Sequence, residues 1–141
     1  MSRALPDLEG IRVVIADDDR DFRDAIAVLV ELVPELAVAG KAATAEEAFR
    51  LVEATRADAC LIDLFMPGMS GIEAVRELRA RHPELVIIVM TGFDEEEETL
   101  QLAHEAGAEA AMRKDRLLSD VGERLRSIRI DAHQQDHRSP F

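Results

Sequence analysis

The apolar run Ala59-Cys60-Leu61-Ile62 ends in a single carboxylate, Asp63, and the chain then breaks at Met66-Pro67-Gly68. Three other short runs end in groups of related chemistry: Ile11 to Ala16 in Asp17-Asp18-Asp19, Leu85 to Met90 in Thr91, and Glu109 to Arg113 in Lys114. Three carboxylates brought into one partly buried crevice cannot all stay ionised unless a cation compensates them. Aspartate oxygens are hard ligands and no His or Cys shares these positions, so Mg2+ is the expected ion. Lys114 adds a second positive charge and Thr91 a hydroxyl donor. Together they describe a phosphoryl site with Asp63 as nucleophile, forming an aspartyl-phosphate by in-line attack while metal and lysine neutralise the equatorial oxygens. Taken singly, each residue has a plainer role: Asp63 as a turn or helix cap, Asp17-Asp18 as loop, Thr91 as a strand-end cap, Lys114 as a solvated charge. Their recurrence at four strand ends separates the two readings.

The elements that position these residues alternate strand and helix five times. After the strand Ile11 to Ala16, Asp21 is a candidate cap for a helix carrying Phe22, Ala25, Ile26, Leu29, Val30 and Val33, stopped by Pro34. Leu36 to Ala39 reads as a short strand closing at Gly40, and Thr44-Ala45-Glu46-Glu47 has the form of a capping box. A helix through Ile72, Val75 and Leu78 ends at His82-Pro83, and a thin stripe of Leu100, Leu102, Ala103 and Ala106 ends at Gly107. Leu117, Leu118, Val121, Leu125 and Ile128 define the last helix. Such alternation implies a parallel sheet covered by helices on both faces, with its strand ends on one rim.

At 141 residues the chain is sized for one domain, with residues 1–10 as a leader, 11–130 as the body and 131–141 as a disordered tail. Apolar content of 48% and charged content of 33% exclude disorder for the body. The net charge of -12 opposes contact with nucleic acid or anionic lipid. No apolar run approaches the roughly 20 residues that span a bilayer, and Cys60 is alone, so a cytoplasmic protein without a disulfide is expected. Cys60 itself is expected in the core.

Four motifs, Val14-Ile15-Ala16-Asp17-Asp18, Leu61 through Gly71, Ile88-Val89-Met90-Thr91-Gly92 and Gly107 through Lys114-Asp115, carry a resemblance to bacterial two-component response regulator receiver domains over roughly Ile11 to Ile130. Phe22 and Arg23 fit that pattern when Asp17-Asp18 is the acidic pair and Asp19 falls outside it. The resemblance implies a flavodoxin-like (βα)5 three-layer sandwich whose five-stranded parallel sheet has the order 2-1-3-4-5. It implies Asp63 as phosphoacceptor from a sensor histidine kinase or phosphotransfer protein, with phosphotransfer onto itself as the only chemistry. It further implies Asp18, Asp63 and the Phe65 carbonyl as direct Mg2+ ligands and Asp17 acting through water. Thr91 would bind a phosphoryl oxygen and Lys114 would pair with the phosphate. The output would be a changed surface acting on an output domain or partner protein. Nothing after Ile130 reads as a helix-turn-helix, so the expectation is a stand-alone receiver or one excised from a longer regulator.

The lack of an expected effector region is one departure from the family, and Ala111 is the other: it stands where a Tyr or Phe switch is usual, in a chain that has no Trp or Tyr. Ala111 is therefore expected to leave the active surface partly populated before phosphorylation. Phe65 and Phe93, two residues after Asp63 and Thr91, are expected to exclude water and prolong the phosphorylated state. Acidic Asp94 to Glu98 and basic Arg113, Arg116, Arg124, Arg126 and Arg129 suggest a signalling face and a phosphorylation-dependent homodimer. The competing reading is a phosphatase resembling the haloacid-dehalogenase group, using Asp17 and Asp19. Against it, Asp21 replaces the Thr or Val that follows that motif, and Asp63 is left without a role. A calcium loop on Asp17, Asp19 and Asp21 lacks its glycine at Phe22 and its glutamate at Val28. A pure interaction domain without phosphorylation is the remaining class.

Overall fold

The computed structural model describes residues 10–92, 97–119 and Glu123. The expected leader up to Glu9, the tail from Asp131, Phe93 to Glu96, and the last-helix residues Val121, Leu125 and Ile128 with their arginines Arg124, Arg126 and Arg129 lie outside the described residues. In chain order the elements are β1 (Ile11–Ala16), α1 (Arg20–Glu31), β2 (Leu36–Ala42), α2 (Ala45–Thr55), β3 (Ala59–Asp63), α3 (Gly71–Arg81), β4 (Val86–Thr91), α4 (Glu97–Ala106) and β5 (Ala110–Arg113). Residues 114–119 open a further helix, α5. All strand pairs are parallel and the order is β2-β1-β3-β4-β5, as expected.

Alternate residues of each strand point to opposite faces, and each face has its own core. Val14, Cys60, Ile62, Ile87 and Val89 pack with Ala48, Phe49 and Val52 of α2, Val75 and Leu78 of α3 and Ala103 of α4. Val13, Ile15, Leu61, Ile88 and Met90 pack with Ile26 and Val30 of α1 and with Leu117, whose full burial anchors α5. Cys60 is part of this interior, where burial pushes its thiol up to about 12 and removes its reactivity.

Two local expectations are corrected. The cap of α1 is Asp19 and not Asp21: its backbone is extended, and its carboxylate accepts from the amides of Asp21 at 3.1 Å and Phe22 at 3.2 Å. An N-cap must precede the helix to reach those amides, and Asp21 already lies in the first turn. β2 also runs past Gly40 to Ala42. The register slips from Val13↔Val38 to Val14↔Gly40, so a one-residue bulge absorbs Ala39 and pairing resumes through Gly40. The capping box of α2 holds: the Thr44 hydroxyl accepts from the Glu47 amide at 3.1 Å, and the Glu47 carboxylate accepts from the Ala43 amide at 2.8 Å.

α4 has a thin apolar stripe: Ala103 and Ala106 are buried, whereas Leu102 is exposed. Its C-terminal end is held by one side chain instead. Arg79 of α3 donates to the Gly107 carbonyl through Nε at 3.1 Å and Nη2 at 2.8 Å, and to the Pro83 carbonyl through Nη1 at 2.8 Å. It also pairs with Glu109 at 2.8 Å, and Glu109 accepts from the Ile87 amide at 2.8 Å. Gly107 turns the chain with φ 128, and a Cβ there would stand 2.8 Å from the Arg79 stem. The four-residue β5 is thereby tied to both α3 and β4.

The β3–α3 connection is equally tight. The Leu64 amide donates to the Met90 carbonyl at 3.1 Å, extending the β3–β4 pairing by one residue, and α3 starts directly beneath. A Cβ on Gly71 would lie 2.1 Å from the Leu64 carbonyl oxygen, a backbone atom that cannot rotate away. Gly71→Ala should therefore cost about 2–3 kcal/mol of unfolding free energy. Urea denaturation measures it, and a loss below about 1 kcal/mol would show that the loop yields.

Candidate functional site

Sheet register brings the reactive groups together. Ala16 pairs with Ile62, so Asp17 and Asp63 follow side by side at the ends of β1 and β3. Asp63 pairs with Met90, which sets Thr91 one residue further along β4, and Thr91 pairs with Arg113, which sets Lys114 beyond β5. The order reverses between β1 and β3, and a crevice opens at such a point outside the carboxyl ends of the strands.

Asp17 is fully buried. Its Oδ1 accepts from the Asp19 amide at 2.9 Å, and its carbonyl accepts from Arg23 Nη1 at 2.7 Å. Its Oδ2 lies 2.8 Å from Lys114 Nζ, an ion pair whose approach is off the hydrogen-bonding axis, so this buried oxygen lacks an aligned donor. Asp63 is 6% exposed. Its Oδ1 accepts from the Phe65 amide at 3.2 Å and its Oδ2 from Lys114 Nζ at 3.4 Å. Burial pushes the Asp63 carboxyl up to about 6; the Phe65 amide opposes the rise, the Asp17 charge adds to it and Lys114 opposes it. For Lys114, burial works against the charged form, but the close contact with Asp17 and the charges of Asp63 and Asp17 outweigh it and raise its pKa.

Asp18 is exposed, yet one carboxylate oxygen from each of Asp17, Asp18 and Asp63 lies within 4.8 Å of the others. This set fits a small hard cation: three anionic oxygens, no sulfur or imidazole, and one buried oxygen without an aligned donor. Thr91 is buried, and its hydroxyl makes only a 3.5 Å contact to the Met112 carbonyl, long for such a bond and easily exchanged. Phe65 follows the site and is 61% exposed as a residue, so it does not bury itself among neighbouring helices. Phe93 lies outside the described residues.

Two contributors escaped the site reading of the sequence. The Lys114 ammonium sits 4.8 Å from the centre of the Phe22 ring, and Arg23 clamps the Asp17 carbonyl. Their signal was position: the first turn of a helix capped by Asp19 necessarily faces the rim. The same cap removes the phosphatase reading on Asp17 and Asp19, because the Asp19 carboxylate is spent on α1 while Asp63 takes its place beside Asp17. The calcium loop fails likewise, since Asp21 is in α1 and neither it nor Asp19 joins the cluster.

Residues 13–126 match the family model described as the response regulator receiver domain. The chain is 37% identical to the transcriptional regulatory protein YhcZ of Bacillus subtilis (strain 168) over 74% of its own length and 49% of that protein's. Among solved structures it is similar to a two-component response regulator of the LuxR family from Aurantimonas sp. SI85-9A1 (32% identity, TM-score 0.76, covering 83% of each chain). It is also similar to the signal receiver domain of the NarL response regulator from Mycobacterium tuberculosis (26% identity, TM-score 0.78, covering 84% of this chain and 95% of that one). The chain spans about half the length of these curated relatives.

The raised Asp63 pKa has a consequence for stability. Its folded value of about 6 exceeds the ordinary 3.8, so between those values the folded state binds the proton more tightly than the unfolded one. Stability of the metal-free protein should fall as pH rises from about 4 to above 6, by on the order of 1–3 kcal/mol from this group. Asp63→Asn lacks the titration and should lose the slope. Urea unfolding with chelator at pH 4.5 and 7.5 compares them; parallel pH dependence in the two proteins would refute the assignment.

Proposed function

We propose, on the premise that this chain belongs to the response regulator receiver domains of two-component systems, that it accepts a phosphoryl group on Asp63 from the phosphohistidine of a sensor histidine kinase or phosphotransfer protein. The observation that carries this reading is the bridging Lys114 ammonium, 2.8 Å from Asp17 and 3.4 Å from Asp63, in a crevice that must otherwise repel its own carboxylates. A carboxylate oxygen of Asp63 forms the new O–P bond as the N–P bond of the donor imidazole breaks, and the imidazole nitrogen keeps the electron pair and takes a proton. Asp18, Asp63 and the Phe65 carbonyl would hold Mg2+ directly, with Asp17 acting through water. The bound ion would supply charge neutralisation on the phosphoryl oxygens.

This chain's own groups supply the rest. The Phe65 amide fixes one Asp63 oxygen at 3.2 Å and so presents the other to the donor. Phe22 and the carboxylates keep the Lys114 ammonium on the rim, within reach of a phosphoryl oxygen. The weakly held Thr91 hydroxyl turns from the Met112 carbonyl to the modified Asp63, and that movement alters the α4–β5 surface. The domain turns over no substrate. With a net charge of -12 it makes no direct nucleic-acid contact; the effect passes to an output domain or partner protein. Among the described residues no helix is long and apolar enough to cross a membrane, which supports a cytoplasmic site of action.

Intact mass after incubation with acetyl phosphate and Mg2+ tests the reading. Wild type should gain one phosphoryl group and Asp63→Asn none, with no continuing hydrolysis of a generic phosphate ester by either. Phosphorylation of Asp63→Asn to the same extent as wild type would place the acceptor elsewhere. In the same time course Phe65→Asn should lose its phosphoryl group about tenfold faster, the equivalent of one water-positioning hydrogen bond of about 1.4 kcal/mol. Decay at the wild-type rate would show that Phe65 does not govern water access.

A further inference from the structure

We propose that the chain has a second site, a cleft at the amino ends of β3 and β4, and that it binds a guanine nucleotide. The cleft has a volume of about 500 Å3 and lies between the last turns of α2 and α3. Its charged and polar groups come from Glu53, Arg56, Asp58, Arg81, His82 and Glu84. The size falls within the roughly 300–1,000 Å3 of small-molecule sites. β3 runs from this cleft to Asp63, so about 15 Å of strand separates it from the carboxylate rim.

Two observations set this cleft apart from ordinary charged surface. Arg56 ends α2 with φ 54, and it is the only residue other than glycine with a positive φ among the described residues. Glycine takes this conformation without strain, whereas a side chain does not. An arginine there adds a cation to the cleft wall at a cost to the fold. Its guanidinium has no hydrogen bond or ion pair among the described residues. Arg81 is the opposite case. Its Nε and Nη2 both stand 2.8 Å from a Glu77 carboxylate oxygen, and its guanidinium carbon lies 5.0 Å from the centre of the Phe49 ring. Held at one edge and backed by a ring, this guanidinium is a preformed platform for a second planar group.

These groups select the ligand. Stacking on a guanidinium plane favours a base over an aliphatic molecule. Glu53 and Glu84 are exposed carboxylates without a partner among the described residues, whereas Asp58 is spent on the Arg12 amide at 2.9 Å. A carboxylate only accepts hydrogen bonds. Guanine presents two adjacent N–H donors on its pairing edge, where adenine presents a donor beside an acceptor. Arg56, with its donors free, takes the phosphate. The net charge of -12 favours a monophosphate over a polyphosphate. Binding in this cleft goes beyond the phosphoacceptor reading and does not depend on it.

The test is isothermal titration of the full chain with GMP in the presence of chelator, so that no metal draws the phosphate to the carboxylate rim. GMP should bind saturably, and AMP about tenfold more weakly. Arg56→Gly relieves the strained φ, so it should unfold at the same or a higher urea concentration than wild type while binding GMP about tenfold more weakly. Arg81→Lys keeps the charge and loses the plane, and it should weaken GMP about fivefold with its circular dichroism unchanged. Amide NMR shifts on adding GMP should concentrate on Ala57, Glu84 and Leu85. No saturable binding at GMP concentrations up to about 1 mM would overturn the proposal. So would equal affinity for AMP, unchanged binding by Arg56→Gly or Arg81→Lys, or amide shifts confined to Asp18, Asp63 and Lys114.

Discussion

Two carboxylates, Asp17 and Asp63, lie side by side out of water, and everything around them answers the resulting repulsion. At short range and low dielectric, like charges cannot both persist without a counter-charge. Lys114 supplies one, touching both. Burial first, and the Asp17 charge after it, push the Asp63 carboxyl up to about 6, and one Asp17 oxygen is left without an aligned donor. Both point to a site organised for more positive charge than the chain itself provides. A hard cation held by Asp17, Asp18 and Asp63 would meet that requirement.

Holding the groups in place is the work of the sheet. Asp17, Asp63 and Thr91 are fixed by register on central strands with two apolar faces. Lys114 follows a four-residue edge strand with little burial, which could not position it alone. The Arg79 guanidinium compensates, joining the Gly107 turn, Glu109 and the start of β4 into one hydrogen-bonded unit at the far end of β5. The edge is thus pinned at its base by Arg79 and at its top by the Lys114 contacts to Asp17 and Asp63. Thr91, weakly bonded, and the open cleft beside Ala111 lie at that upper end.

Much of the fold was legible because apolar runs and helix-period stripes are local, and four of the five strand ends carried polar groups that together fit one site. Ile11 to Ala16 and Leu85 to Met90 read as strands before any contact was known, and the Thr44 capping box is a local hydrogen-bond exchange that tertiary contacts did not disturb. Composition and the four motifs were enough to propose Asp63, Asp17, Asp18, Thr91 and Lys114 as one set. The N-cap of α1 and the end of β2 were misplaced: cap geometry depends on backbone angles, and a bulge depends on the partner strand.

Other features belong to the folded molecule alone. The sequence by itself determined which chemical groups were available and, through alternation, that they would share a rim. Only the tertiary structure decided that Lys114 bridges Asp17 and Asp63 over the Phe22 ring, that Asp19 is consumed as a cap, and that Ala111 opens a cleft against Thr91. The physical reason is separation along the chain: Lys114 lies 51 residues from Asp63. No local propensity encodes a contact at that range; it appears when the sheet closes and burial makes each unpaired charge costly.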